Sequence, residues 1–140
     1  MPKKITKPKE KKIAEAPAEK QTVLIVEDDG FLSNMYKAKL ELEDYTVLTA
    51  ANGEAGLKLS KEKKPNLILL DVIMPKMNGF EVLKEIKGDK NLKDIPVIML
   101  TNLGQKEDVQ KSFKLGASEY LIKAHFLPSE VVGKVKKFLK

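Results

Sequence analysis

The sequence predicts an open α/β sandwich, a parallel sheet of five short strands with helices on both faces. Three observations carry that expectation. Five apolar runs recur beyond residue 21. Three of them are nearly continuous rather than alternating, as expected of parallel strands covered on both sides. Between the runs, apolar residues return at helical spacing, and strand–helix alternation of this kind indicates α/β layering.

Taken in order, the first run is Val23-Leu24-Ile25-Val26, and after it Phe31, Leu32, Met35, Ala38 and Leu42 share one helical face. Thr46-Val47-Leu48-Thr49 is the second run, with a less marked helical segment from Ala51 to Leu59. The third, Leu67-Ile68-Leu69-Leu70, precedes a helix whose face holds Phe80, Leu83 and Ile86. Pro96-Val97-Ile98-Met99-Leu100 is the fourth, followed by a helical segment from Gln105 to Leu115. Gly116 stands where that helix ends, before the fifth run, Tyr120-Leu121-Ile122. The last stripe is Val131, Val132, Val135, Phe138 and Leu139, with Pro128 in the first turn, where its missing N–H costs nothing.

A chain of 140 residues suits one such domain, because a core of this size can be buried once but hardly twice. Cysteine is absent, which removes disulfides, thiol nucleophiles and cysteine-ligated metal sites, and fits a reducing compartment. No apolar run approaches the roughly eighteen residues that span a bilayer. The N-terminal lysines are not followed by the apolar stretch of a secretory signal. A soluble, cytoplasmic protein is expected.

The formal charge of +6 is unevenly placed: residues 1–21 hold seven lysines and three glutamates. That segment mixes lysine, proline, alanine and glutamate with few large apolar side chains, and reads as a basic, disordered tail. An electrostatic arm for an acidic partner, anionic lipid or nucleic acid is the alternative. All 26 basic residues are lysine. Without arginine, the better reader of base edges, no specific DNA binding is expected.

In an open parallel sheet, ligands collect at the carboxyl ends of the strands. Glu27-Asp28-Asp29 follows the first run, Asp71 the third, Thr101-Asn102 the fourth and Lys123 the fifth. Crowded carboxylates repel one another and call for a hard cation. Oxygen ligands without cysteine or histidine suit Mg2+, or Mn2+. A lysine and a threonine hydroxyl beside such a cation bind oxyanions, so the set has the chemistry of a phosphoryl site in which a central carboxylate is the nucleophile.

The stretch DVIMPKMNG, Asp71 to Gly79, resembles the D-x-x-M-P-x-M-x-G loop of bacterial response-regulator receiver domains. VLIVEDD, MLTN and GASEYLIK resemble the same family, from about Thr22 to Lys140, which would make residues 22–140 a receiver domain. The resemblance implies a doubly wound, flavodoxin-like sheet of order 2-1-3-4-5, and a two-component signalling role rather than an enzymatic one. It implies Asp71 as phosphoacceptor, served by a histidine kinase or histidine phosphotransfer protein. Asp28 would be the principal metal ligand and Glu27 the outer acid, with Asp71 and the backbone carbonyl of Ile73 completing the Mg2+ site. Thr101 would bind a phosphoryl oxygen, Lys123 would pair with the phosphorylated Asp71, and Tyr120 would move with the threonine. The face of the fourth helix, fifth strand and fifth helix would signal to a downstream protein that remains to be identified. Asp29 is instead expected to cap the following helix.

Other features have structural explanations. Met74, Pro75 and Met77 read as loop packing, Gly79 as supplying a backbone angle other residues resist, and His125 as a surface residue. Ala124 stands where the family usually has a cis proline. Since a cis bond without proline costs about 3–4 kcal/mol, a trans Lys123–Ala124 bond in a rearranged loop is expected. Ile73, two after the acceptor, and Leu103, two after the threonine, are apolar at positions that in the family tune how water reaches the phosphoryl group, so the resemblance implies slow self-dephosphorylation. No output domain fits in the sequence given, so a stand-alone regulator or relay is expected, or a fragment of something longer. Two rivals are a receiver-like binding module that works without phosphorylation, and a magnesium phosphatase of the haloacid dehalogenase type.

Overall fold

A computed structural model of the chain describes residues 20–139. The expected tail lies outside the described residues from residue 1 to 19. Among the described residues, β1 (Thr22–Val26), α1 (Gly30–Leu42), β2 (Thr46–Ala50), α2 (Gly53–Lys63) and β3 (Leu67–Leu70) are followed by α3 (Gly79–Gly88), β4 (Val97–Thr101), α4 (Lys106–Lys114), β5 (Glu119–Ile122) and α5 (Pro128–Phe138). The strands form one parallel sheet in the order β2-β1-β3-β4-β5, as the resemblance implied.

The sheet explains the apolar runs. All of β3 and β4 and most of β1 are buried, because helices cover both faces of the three central strands. Alternate side chains feed two cores. Val23, Ile25, Leu69, Ile98 and Leu100 pack with Leu40 of α1 and Val131 and Val135 of α5. Leu24, Val26, Ile68, Leu70 and Met99 pack on the other side with Val82, Leu83 and Ile86 of α3. The edge strands β2 and β5 are covered less completely, and their runs are correspondingly shorter on large aliphatic residues.

α1 departs from the sequence reading. The face shared by Phe31, Ala38 and Leu42 points outward, with Phe31 79% and Leu42 80% exposed, while Ser33, Tyr36 and Leu40 are buried. Leu32 and Met35 sit at the boundary. The large side chains that α1 turns inward are Tyr36 and Leu40, and Tyr36 is one that a hydropathy count treats as ambiguous because its ring is apolar and its hydroxyl polar. In α5 the stripe is as expected for Val131, Val132 and Val135, while Phe138 stays partly exposed.

Local signals set the ends. The Asp29 side chain accepts the N–H groups of Phe31 and Leu32 and so caps α1, as expected. Asn52 caps α2 by accepting from Ala55 at 2.8 Å. Asn78 and Glu81 exchange side-chain and backbone hydrogen bonds at the start of α3, a capping box. Pro128 occupies the first turn of α5, and Gly116 takes φ 106° just past α4. No helix among the described residues is long and apolar enough to cross a membrane.

Candidate functional site

The chain runs outward from β1 to β2 and returns across β1 to β3, so the strand order reverses between β1 and β3. At that switch point helices diverge to opposite faces and leave a crevice at the carboxyl ends. A cleft of about 280 Å³ opens there, bordered by Glu27, Asp28, Asp71, Ile73, Thr101 and Lys123, with Asp29, Leu32 and Asn102 at its margins. Six of the seven candidate residues therefore meet in one place. Tyr120 is the exception: it does not border the cleft, and its hydroxyl donates to the Leu103 carbonyl, two residues after Thr101, at 2.6 Å.

Carboxylate oxygens of Glu27, Asp28 and Asp71 lie within 4.8 Å of one another. Glu27 and Asp71 are buried and Asp28 is exposed. One Asp71 oxygen accepts the Val72 N–H at 2.7 Å, and the other accepts from the Lys123 ammonium at 2.8 Å. Lys123 also forms an ion pair with Glu27, a partnership the sequence reading did not foresee. Burial acts to lower the Lys123 pKa, but its hydrogen bonds with Asp71 and Glu27 outweigh this and hold it above the ordinary lysine value. Burial pushes the Glu27 carboxyl up, opposed by its hydrogen bonds with Lys123 and the Asp29 N–H.

Three carboxylates against one ammonium leave uncompensated negative charge in a partly buried cleft, where such an excess is costly. The donors are all oxygen, and a divalent hard cation matches both the charge and the donor type. The residues present thus fit Mg2+ or Mn2+.

The loop from Val72 to Asn78 is folded tightly beside the cleft. The Gly79 N–H donates to the Val72 carbonyl at 2.8 Å. Gly79 is needed for space rather than for the backbone angle expected from the sequence: a Cβ there would sit 2.1 Å from the Asp71 carbonyl oxygen. The left-handed conformation falls on Lys76 instead, at φ 72°. Ile73 borders the cleft and is 60% exposed. Leu103 does not line it; its side chain is partly buried against the core that holds Val82, Leu83 and Ile86.

The described residues contain no cis peptide, so the Lys123–Ala124 bond is trans as expected, and Lys123–His125 wind into a single 3-10 turn. His125 is exposed, in agreement with its reading as a surface residue. Sequence reasoning gave Asn102 no role. Its side-chain carbonyl accepts the Ala124 N–H at 3.2 Å and braces the loop beside Lys123. A proline at 124 would have no N–H to give, so the substitution that looked like a loss supplies a tether.

Comparison with known proteins agrees with this geometry. The chain is 38% identical over 118 residues to the DNA-binding dual master transcriptional regulator RpaA of Synechocystis, covering 84% of this chain and 48% of RpaA. It therefore spans about half the length of the curated relatives it matches. Among solved structures it resembles chemotaxis protein CheY4 of Vibrio cholerae, with TM-score 0.80 and 30% identity, covering 86% of this chain and all of that one. The Mn2+-bound form of response regulator Rcp1 matches with TM-score 0.74 and 33% identity, over 84% of this chain and 93% of that one. These are signalling proteins, which leaves the phosphatase rival without support. Residues 23–136 match the response regulator receiver domain, and the chain belongs to that family.

Proposed function

We propose that Asp71 accepts a phosphoryl group from a histidine kinase or histidine phosphotransfer protein, and that the phosphorylated form signals to a protein partner through a change of shape. The carrying observation is the setting of Asp71: a buried carboxylate at the end of β3, one oxygen on a backbone N–H and the other on Lys123, beside two further acids. In the transfer, an Asp71 oxygen attacks the donor phosphorus. The phosphorus–nitrogen bond of the phosphohistidine breaks, and the imidazole leaves with the electron pair and takes up a proton.

Glu27, Asp28, Asp71 and the Ile73 carbonyl would hold Mg2+, or Mn2+, which when bound offsets the negative charge of the phosphoryl oxygens. Lys123 stays with Asp71 and neutralises the charge that arrives, while the Thr101 hydroxyl turns toward a phosphoryl oxygen. Tyr120 follows Thr101, and the shift favours a second arrangement of the α4–β5–α5 surface. The exposed apolar face of α1 supports a protein donor. Phe31 lies two residues from Asp29 at the cleft margin, and Ala38 and Leu42 continue the same face. A helical donor laid along it would bring its phosphohistidine to Asp71 in the cytoplasm.

The test is intact-mass spectrometry after incubation with Mg2+ and acetyl phosphate, and then with a phosphorylated histidine phosphotransfer protein. Wild type should gain one phosphoryl adduct, and Asp71→Asn none. Absence of the adduct with both donors would sink this reading in favour of the phosphorylation-independent binding module.

A further inference from the structure

The Val72–Asn78 loop contains a strained turn. The Met77 N–H donates to the Pro75 carbonyl at 2.8 Å, with Lys76 between them at φ 72°. This is the rarer, strained form of γ-turn, and a non-glycine residue keeps such a conformation only where its surroundings over-determine it. The base of the loop is fixed by Gly79, as described above. The surroundings of its far side are supplied by α2.

A Cβ on Gly53, the first residue of α2, would lie 1.9 Å from the Met77 carbonyl oxygen and 2.7 Å from its carbonyl carbon. Both are backbone atoms, so a larger residue could not be accommodated by turning a side chain aside. One turn further along the helix, a Cβ on Gly56 would lie 2.6 Å from the Val26 side chain. Val26 directly precedes Glu27. No residue of α2 borders the cleft, yet the helix touches the chain just before the first acid and again in the loop that follows Asp71. Asn52 fixes the start of this helix by its hydrogen bond with Ala55.

We propose that Gly53 is a positioning residue for divalent-cation binding. Through the Met77 carbonyl it holds the Val72–Asn78 loop, and with it the Ile73 carbonyl, in the place from which the acidic cluster is completed. The inference rests on the reading of Ile73 as a ligand given above. With a methyl group at position 53 the loop must move by about an ångström or α2 must lift. Either movement separates Ile73 from the acids, while Asp71, Thr101 and Lys123, on other elements, keep their places.

The experiment is a calorimetric Mg2+ titration of the full chain for wild type, Gly53→Ala and Gly133→Ala, paired with phosphorylation by acetyl phosphate across the same Mg2+ range. Gly133 is the control because a Cβ there meets nothing within 4 Å. Gly53→Ala should weaken Mg2+ binding about tenfold, the scale of lost support behind a metal ligand. Its phosphorylation rate at saturating Mg2+ should stay within about twofold of wild type, and Gly133→Ala should bind Mg2+ as wild type does. A Gly53→Ala protein that melts earlier but binds Mg2+ normally would overturn the proposal, as would a lowered plateau with an unchanged half-saturation point. If Gly53→Ala does not fold, Asn52→Ala decides the matter, since it frees the start of α2 without adding an atom. A rise of about two- to threefold in the Mg2+ dissociation constant is expected there, and no rise overturns the proposal. Wild type that binds Mg2+ but is never phosphorylated would refute the proposed function while leaving Gly53 to be judged by calorimetry.

Discussion

The loop after Asp71 and the loop after Thr101 border the same cleft but are secured to very different degrees. The first is closed by the Gly79–Val72 hydrogen bond, ends in the Asn78–Glu81 capping box and leads into α3, which buries Val82, Leu83 and Ile86. The second is held by the Leu103 N–H on the Thr101 hydroxyl at 3.4 Å, by the Tyr120 hydroxyl on the Leu103 carbonyl, and by the Asn102 side chain, which accepts the exposed Ala124 N–H at 3.2 Å. It leads into α4, which has no side-chain cap and buries only Ser112. The Ser112 hydroxyl has no hydrogen-bond partner among the described residues. One wall of the site is therefore built to stay and the other is inexpensive to move. A phosphoacceptor needs the first kind for geometry and a switch needs the second, because the segments that rearrange are drawn from the least secured parts of a fold.

The sharpest way to break this comparison is to press on both walls equally. Gly79→Ala puts a Cβ against the Asp71 carbonyl and should cost about 3 kcal/mol in urea unfolding. Gly104→Ala meets only the tip of Ile122, at 3.3 Å, and should cost less than about 0.5 kcal/mol. Similar losses in the two variants would mean that the walls are equally rigid.

A kinetic version asks which wall governs access of water. Ile73→Asn places a polar group in the cleft and should shorten the lifetime of the phosphorylated protein about tenfold, less than the roughly hundredfold or more of a fully positioned general base because an amide only orients the water. Leu103→Asn should change the lifetime much less, because that side chain packs away from the cleft. The decay of the mass adduct measures both, and equal shortening would contradict the geometry.

Ser112→Ala tests the lightly secured wall alone. It removes a buried hydroxyl that gains nothing, and should raise stability by about 1 kcal/mol in thermal unfolding. Tyr120→Phe gives a comparable but opposite effect, losing about 1 kcal/mol at neutral pH with the hydrogen bond to Leu103. Burial pushes the Tyr120 phenol up to about 12, with the charges of Asp108 and Asp71 adding to the rise. The folded state thus prefers the protonated phenol more than the unfolded chain does. The resulting stabilisation is complete below about pH 10, the ordinary tyrosine value, and is lost as pH rises through about 12. In Tyr120→Phe this part of the alkaline decline should be missing, and an unchanged pH profile would place the titration elsewhere.

Much of the site was legible because residue type and strand position are local properties. A run such as Leu67-Ile68-Leu69-Leu70 followed by Asp71 says that a buried strand ends in an acid, and parallel strands bring such ends together. Thr101 and Lys123 were found in the same way. Asn102 lacked a comparable signal, since a polar residue leaving a strand is ordinarily solvated, and its bond to Ala124 spans 22 positions.

The sequence by itself determined where the strands lie, how they alternate with helices, and which acids, hydroxyl and ammonium collect at their carboxyl ends. These follow from periodicity and chemistry within a few residues of each position. Tertiary structure alone decided that α1 turns Tyr36 rather than Phe31 inward, and that Lys123 is shared between Asp71 and Glu27. It also decided that Gly79 and Gly53 are required by the approach of another stretch of backbone rather than by their own torsion angles. Each of these depends on how closely segments distant in the chain approach one another, a distance fixed by packing the whole core and carried by no local pattern.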